Sequence, residues 1–294
     1  METFVVLPSG ARLWAELRGD ETASPLLLVM GANASGLTWP DALVEQLAGH
    51  HRVIRYDHRD TGRSTWAFDE APYALRDLAD DAVDLLDGLG VDTAHVVGMS
   101  LGGTLVQLLL LDHPRRLRSA TVLCTSALGP SPNTTSDAPA VDLPGPDPAL
   151  LELWEDMMSP RDPDAELEWR VAHWRMLNGG VMAFDADAFR LMEQRLIAHA
   201  GRADNAAAHA MADQSGLDRG EELSHVTVPT LVIEAPEDPI YPPPHATHLA
   251  ETIGGAALVR IDGMGHAIPD EAVDPLADAI LTHTTAVDRG AVDT

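Results

Sequence analysis

A chain of 294 residues with 46 acidic and 19 basic side chains carries a formal net charge of −27. That length supports one α/β domain with an insertion and a core that needs no covalent staples, while the charge repels nucleic acid and anionic membrane alike. All 19 basic residues are arginine, which excludes Schiff-base chemistry and any phosphate loop built on a lysine, and the lone Cys124 excludes an intramolecular disulfide and a thiolate metal cluster.

The segment from Met1 to Pro8 lacks the basic start and long apolar stretch of a secretory signal. No apolar run reaches membrane-spanning length. The expected location is therefore the reducing cytoplasm, where the glycosylation patterns at Asn33-Ala-Ser35 and Asn133-Thr-Thr135 would be idle. Thr3–Leu7, a Pro8-Ser9-Gly10 turn and Arg12–Leu17 read as a hairpin. Pro25–Met30 is a continuous apolar run, the mark of a strand buried on both faces of a parallel sheet. Pro40–Gly49 then reads as helix, His51–Tyr56 as strand and Leu75–Leu89 as an amphipathic helix. Ala94–Val97 is the next strand, Leu101–Asp112 a helix and Ser119–Cys124 a strand. This alternation predicts a doubly wound, mostly parallel sheet with right-handed crossovers.

The rhythm breaks near Leu128. A Pro/Ser/Thr/Asp-rich stretch over Gly129–Pro148 reads as flexible, and helices follow over Leu150–Met158, Asp164–Leu177 and Asp185–Ala200. Sheet order resumes with strand Pro229–Ala235, helix His245–Ile253, strand Ala257–Ile261 and helix Glu271–His283. The expected division is a core over 1–127 and 221–285, a helical cap over 128–220 and a tail over 286–294.

The chemistry gathers at three strand ends. Ala94–Val97 runs into Gly98-Met-Ser100-Leu-Gly102, a Gly-x-Ser-x-Gly turn followed by an apolar helix. A nucleophile elbow requires that strand–turn–helix context. Ser100 sits at the strained tip, Gly98 and Gly102 remove side chains that would clash there, and Gly103 lets the helix pack close to the strand. A serine hydroxyl becomes a useful nucleophile only when an imidazole takes its proton and a carboxylate fixes that imidazole's tautomer. The strand ending at Ala235 leads into Pro-Glu237-Asp238-Pro, and the strand ending at Ile261 leads into Asp-Gly-Met-Gly-His266. Asp238 and His266 thus follow Ser100 in the order serine, acid, histidine. Glu237 is the alternative acid, but the proline after Asp238 stiffens the turn and favours Asp238. Oxyanion donors are expected from the backbone N–H of Leu101, at a helix N-terminus, and of Ala32, in the loop after Pro25–Met30. His245 and His248 share a helix face but lack a third ligand, so no metal site is expected, nor any cofactor. His50 and His51 read as a helix end, and His58 and His95 as structural.

With these pieces the chain resembles the α/β-hydrolase superfamily and, more narrowly, aclacinomycin methylesterase and related methylesterases of anthracycline biosynthesis. The resemblance rests on residues 26–35, 53–64, 95–100, 228–233 and 263–269. It implies an eight-stranded sheet with a helical lid after the sixth strand, Ser100, Asp238 and His266 as triad, and Ala32 and Leu101 as oxyanion donors. It further implies removal of the methyl from a carbomethoxy group on an aromatic polyketide, glycosylated or not, in some relatives followed by decarboxylation. Many superfamily members carry His-Gly where this chain has Met30-Gly31, and Tyr241 stands where smaller residues are common.

The insertion supports that reading from another side, because flat rings and adaptable thioethers suit a large aromatic ligand. Trp154, Met157, Trp174, Met176 and Phe184, with Tyr241 from the acid loop, are the expected pocket residues. An elbow serine in place of aspartate sets aside the epoxide hydrolases and dehalogenases. A generalist carboxylesterase or a C–C hydrolase keeps the same triad, and a ligand-binding relative without catalysis is the alternative from another class. The expected state is a monomer or small homo-oligomer.

Overall fold

The computed structural model describes residues 1–129, 142–157, 159–202 and 207–290. Asn133, Met158, most of the Pro/Ser/Thr/Asp-rich stretch and the last four residues lie outside them. Eight strands form one sheet: β1 (Glu2–Val6), β2 (Arg12–Arg18), β3 (Pro25–Val29), β4 (Arg52–Tyr56), β5 (Ala94–Met99), β6 (Leu117–Leu123), β7 (Thr230–Glu234) and β8 (Ala257–Arg260). Their order is β1-β2-β4-β3-β5-β6-β7-β8. The hairpin β1–β2 and the β2–β4 pair are antiparallel, and every later pairing is parallel.

The apolar run of β3 is explained by burial on both faces. Leu26 and Leu28 belong to the core beneath α1 (Asp41–Ala48) and the long C-terminal helix, whereas Leu27 and Val29 belong to the core beneath α2 (Leu75–Gly88) and α3 (Leu101–Asp112). The period-2 geometry of a strand sends successive side chains into opposite cores, so neither face tolerates polarity.

Between β6 and β7 the described residues form four α-helices, α4 (Pro148–Glu155), α5 (Pro163–Leu177), α6 (Ala186–Ala200) and α7 (Ala208–Met211), and a short 3-10 helix over Gly220–His225. The starts of α4 and α5 fall earlier than apolar spacing predicts because Asp-Pro pairs set them. Asp147 and Asp162 accept hydrogen bonds from Ala149 and Ala165 N–H, with proline at the first helical position of each. A small apolar cluster of Leu150, Leu177, Phe189 and Ala267 seats the insertion on the sheet edge, and the N–H of His266 donates to Leu177 O at 2.7 Å.

After α8 (His245–Thr252) and β8, helix α9 spans Asp270–Asp288, five residues beyond the expected end at His283. The added turn, which runs into the segment expected as tail, is docked. Thr284 is fully buried against His51 Nε2 at 2.8 Å, and one turn on, Asp288 takes hydrogen bonds from Ser24, His95 and Arg118. No helix among the described residues is long and apolar enough to cross a membrane.

Candidate active site

The elbow is where β5 meets α3. Ser100 has φ 57° and ψ −123°, a left-handed backbone that a β-carbon disfavours. Both elbow glycines are required by close backbone approach. A Cβ on Gly98 would meet Gly102 O, and one on Gly102 would meet the carbonyl of Val29 on the neighbouring strand. Gly103 has a different role from the one expected: its missing Cβ makes room for the Thr125 side chain, just after β6.

At the end of β7 the carboxylate of Asp238 is almost wholly buried and fully used. Oδ1 accepts from the N–H groups of Ile240 (2.8 Å) and Tyr241 (3.0 Å), and Oδ2 stands 2.8 Å from Nδ1 of His266. Burial opposes ionisation here, but the His266 ring and the two N–H donors outweigh it and hold the carboxyl below the usual range. A carboxylate only accepts, so Nδ1 of His266 carries the proton and Nε2 is left as a base. Glu237, the alternative acid, has its backbone N–H bonded to Met264 O and its Cβ against Gly179 of the insertion. Behind Asp238 lies Cys124, whose thiol is pushed up by burial and the neighbouring carboxylate; it is protonated and inert at neutral pH.

The loop carrying Ala32 passes beside the nucleophile. A Cβ on Gly31 would stand 3.1 Å from Ser100 Cβ and 3.6 Å from its Oγ, so glycine keeps this approach open. Leu101 opens α3, with its N–H at the positive end of the helix dipole.

Ser100, His266, Gly31 and Ala32 open onto one cavity of about 490 Å³. Four tryptophans wall it: Trp66, Trp154, Trp169 and Trp174. Of the expected pocket residues, Trp154, Met157, Trp174 and Tyr241 line it. Met176 and Phe184 do not; they pack in the small apolar cluster under the insertion, where Phe184 stacks on Phe189 with ring centroids 4.7 Å apart. Helical spacing in α5 sends Trp169, Arg170, His173, Trp174 and Leu177 toward the cavity, and Met176 falls on the other face. Part of the polar lining is paired, whereas Trp169 Nε1 and Thr38 Oγ1 are buried without a hydrogen-bond partner among the described residues. Glu193 receives Trp174 Nε1 at 2.6 Å and Arg170 at 3.2 Å, and His173 Nε2 accepts from Trp154 Nε1 at 3.0 Å. Burial lowers His173 to about 4, so its ring is neutral.

Among the described residues, two donor clusters of metal-binding type have their atoms already engaged in hydrogen bonds, to one another or to neighbouring groups. Cys124, Asp238 and His266 form one, and His51, His95 and Asp288 another at the opposite sheet edge. Both ring nitrogens of His245 are taken, by Ser126 and by Pro144 O. His58 donates to Met30 O and His95 meets Ser119 and Asp288, as structural histidines do.

Residues 24–273 match the family model of the alpha/beta hydrolase fold. The chain belongs to the α/β-hydrolase family. It is 47% identical to the rhodomycin D methylesterase DnrP of Streptomyces peucetius over 97% of this chain and 99% of that one. To the rhodomycin D methylesterase DauP of a Streptomyces species it is 46% identical over the same shares. Among solved structures it is similar to a hydrolase from Pseudomonas aeruginosa, with a TM-score of 0.71, 25% identity and 96% and 97% of the two chains covered. Family membership carries the α/β-hydrolase architecture; the site chemistry follows from the residues above.

Proposed function

We propose that this hydrolase is a serine methylesterase that removes the methyl from a carbomethoxy group on an anthracycline-type aromatic polyketide. One observation carries the reading: Ser100 and the Asp238-supported His266 open onto the same tryptophan-walled cavity. The kinship with two rhodomycin D methylesterases supports it along nearly the whole chain. A cavity of about 490 Å³ falls within the range of small-molecule sites, and four indole walls match flat fused rings.

In this reading the roles are Ser100 as nucleophile, His266 as base and then acid, and Asp238 as the group that holds the ring. Ser100 Oγ attacks the ester carbonyl carbon while Nε2 of His266 takes the hydroxyl proton. The N–H groups of Ala32 and Leu101 hold the oxyanion, each contributing about a hundred- to a thousandfold to the rate. Collapse of the tetrahedral intermediate expels methoxide, which takes the proton from His266 and leaves as methanol. Water then repeats the sequence on the acyl-enzyme and frees the acid. Residues 128–220 act as the cap that covers the ligand and chooses it, and the rest of the chain, through the docked end of α9 at Asp288, is the catalytic core.

The test is methanol release across a panel of carbomethoxy anthracyclines with and without sugars, using the unaltered protein and Ser100→Ala. Methanol from the former and none from the latter is expected, as is labelling of Ser100 by a fluorophosphonate. Ring cleavage without methanol would replace the methylesterase by a C–C hydrolase, and an unreactive Ser100 would leave a binding protein.

A further inference from the structure

The loop between β3 and α1 is held by two neutral imidazoles whose placement brackets one peptide. His58 Nε2 donates to Met30 O at 3.0 Å, which fixes the Met30–Gly31 peptide. The N–H of Asn33 donates to His209 Nδ1 at 2.9 Å, which fixes the Ala32–Asn33 peptide. Between these two planes lies the Gly31–Ala32 peptide, whose N–H is the oxyanion donor proposed above. The bracket is closed by a reciprocal bond from the His209 N–H to Asn33 Oδ1 at 3.2 Å. Asn33 itself has φ 58°, a left-handed conformation that asparagine tolerates better than most residues.

The tautomer of His209 follows from its partners. A backbone N–H can only donate, so Nδ1 must be the unprotonated acceptor. Nε2 then carries the proton and gives it to Arg59 O at 2.9 Å. The ring is 3% exposed. The groups facing it are the His58 ring at 5.5 Å, the Tyr73 ring at 6.4 Å, the carboxylate of Asp60 and the backbone of Arg59. Burial lowers its pKa, so the accepting form persists below the usual histidine range.

His58 comes from the core, but His209 lies in α7, between β6 and β7. We infer that His209 is a positioning residue: its Nδ1 aims the Ala32 amide at the oxyanion, so the inserted segment completes the active site as well as covering it. This rests on the serine-esterase reading of the site and goes beyond it by giving the insertion a part in the rate of the chemical step. His209 touches no reacting atom and acts through the loop.

The two ring nitrogens have separable jobs, and two variants separate them. His209→Asn keeps an acceptor oxygen near the Nδ1 position, while His209→Gln reaches toward Arg59 O and leaves the Asn33 N–H without a partner. The probe is p-nitrophenyl acetate, an ester too small to draw on the cavity walls. His209→Gln is expected to lower kcat by about 10- to 100-fold with KM within about threefold, a fraction of the loss of a whole oxyanion donor. His209→Asn is expected to stay within about fivefold of the unaltered protein. Equal activity of the two variants, the reverse order, or a loss confined to KM overturns the inference. A readout on the unaltered protein guards against misfolded variants: ring nitrogen-15 shifts at pH 7 must show protonated Nε2 and bare Nδ1, and a protonated Nδ1 overturns it. Ser100→Ala turning over the same ester would instead overturn the serine reading, whatever His209 does.

Discussion

Oδ2 of Asp238 and Nδ1 of His266 meet at 2.8 Å across a sequence separation of 28 residues, with Oδ1 held by two backbone N–H groups of the following turn. The carboxylate therefore fixes ring orientation and tautomer together. Asp238→Asn keeps the shape but can donate to Nδ1, which drives the proton to Nε2 and removes the base. We expect kcat for methyl ester hydrolysis to fall by about 10³- to 10⁴-fold with little change in KM. Glu237→Gln should stay within about twofold, because no contact ties Glu237 to the ring. Steady-state kinetics on the two variants decides between the neighbouring carboxylates, and a larger loss at Glu237 would reverse the assignment.

Gly102 has no room for a side chain, since a Cβ would run into the carbonyl of Val29 on a strand buried on both faces. Val29 cannot yield without disturbing the β3–β5 ladder, and Gly102 is held in the first turn of α3 directly after the elbow. Gly102→Ala should cost about 3 kcal/mol or more, or leave no soluble protein, whereas Gly180→Ala, whose Cβ meets open space, should stay within about 0.5 kcal/mol. Urea denaturation of the two variants measures the contrast. Comparable losses would mean that the elbow does not depend on this approach.

The strands and the elbow are legible in the sequence because each rests on a local rule. The unbroken apolar run of β3 requires two buried faces, and the glycines around Ser100 require a tight backbone. Asp238 and His266 are legible because parallel strands bring their C-terminal ends to one edge, whatever lies between them in sequence. The cavity wall is less so, because which face of α5 turns inward depends on how the insertion docks. Trp174 lines the cavity and Phe184 does not, although both pack against the same small cluster, so aromatic content alone could not separate them. Trp66 lies outside the insertion, and His209 forms its bonds with a loop 176 residues away, leaving no local signal. The end of α9 is hidden for the same reason: Thr284 and Asp288 are polar residues one turn apart whose partners, His51 and His95, lie on the far side of the sequence.

That polar knot, with the other buried imidazoles, sets the acid limit of the fold. Burial lowers His95 to about 4 and His58 to about 3, and also lowers His51, His209 and His283. In the unfolded chain the same rings titrate near 6.5. The unfolded state thus binds more protons as pH drops below that value, and stability that is complete above it is lost toward the folded values. Each such ring contributes up to about 1.4 kcal/mol per pH unit in that window. We expect the urea midpoint to fall steeply between pH 7 and pH 5, and His95→Gln to flatten the slope by about one proton. Asp288 acts in a lower window. Burial opposes its ionisation, but bonds from Ser24, Arg118 and His95 prevail and hold it at about 2. Its contribution is present above the ordinary carboxylate range and is lost as pH falls toward 2. Asp288→Asn at pH 7 should therefore cost about 1–2 kcal/mol, allowing for the part of the carboxylate that faces solvent. A urea midpoint that stays level from pH 7 to pH 5 would show that these rings take up protons within the folded protein.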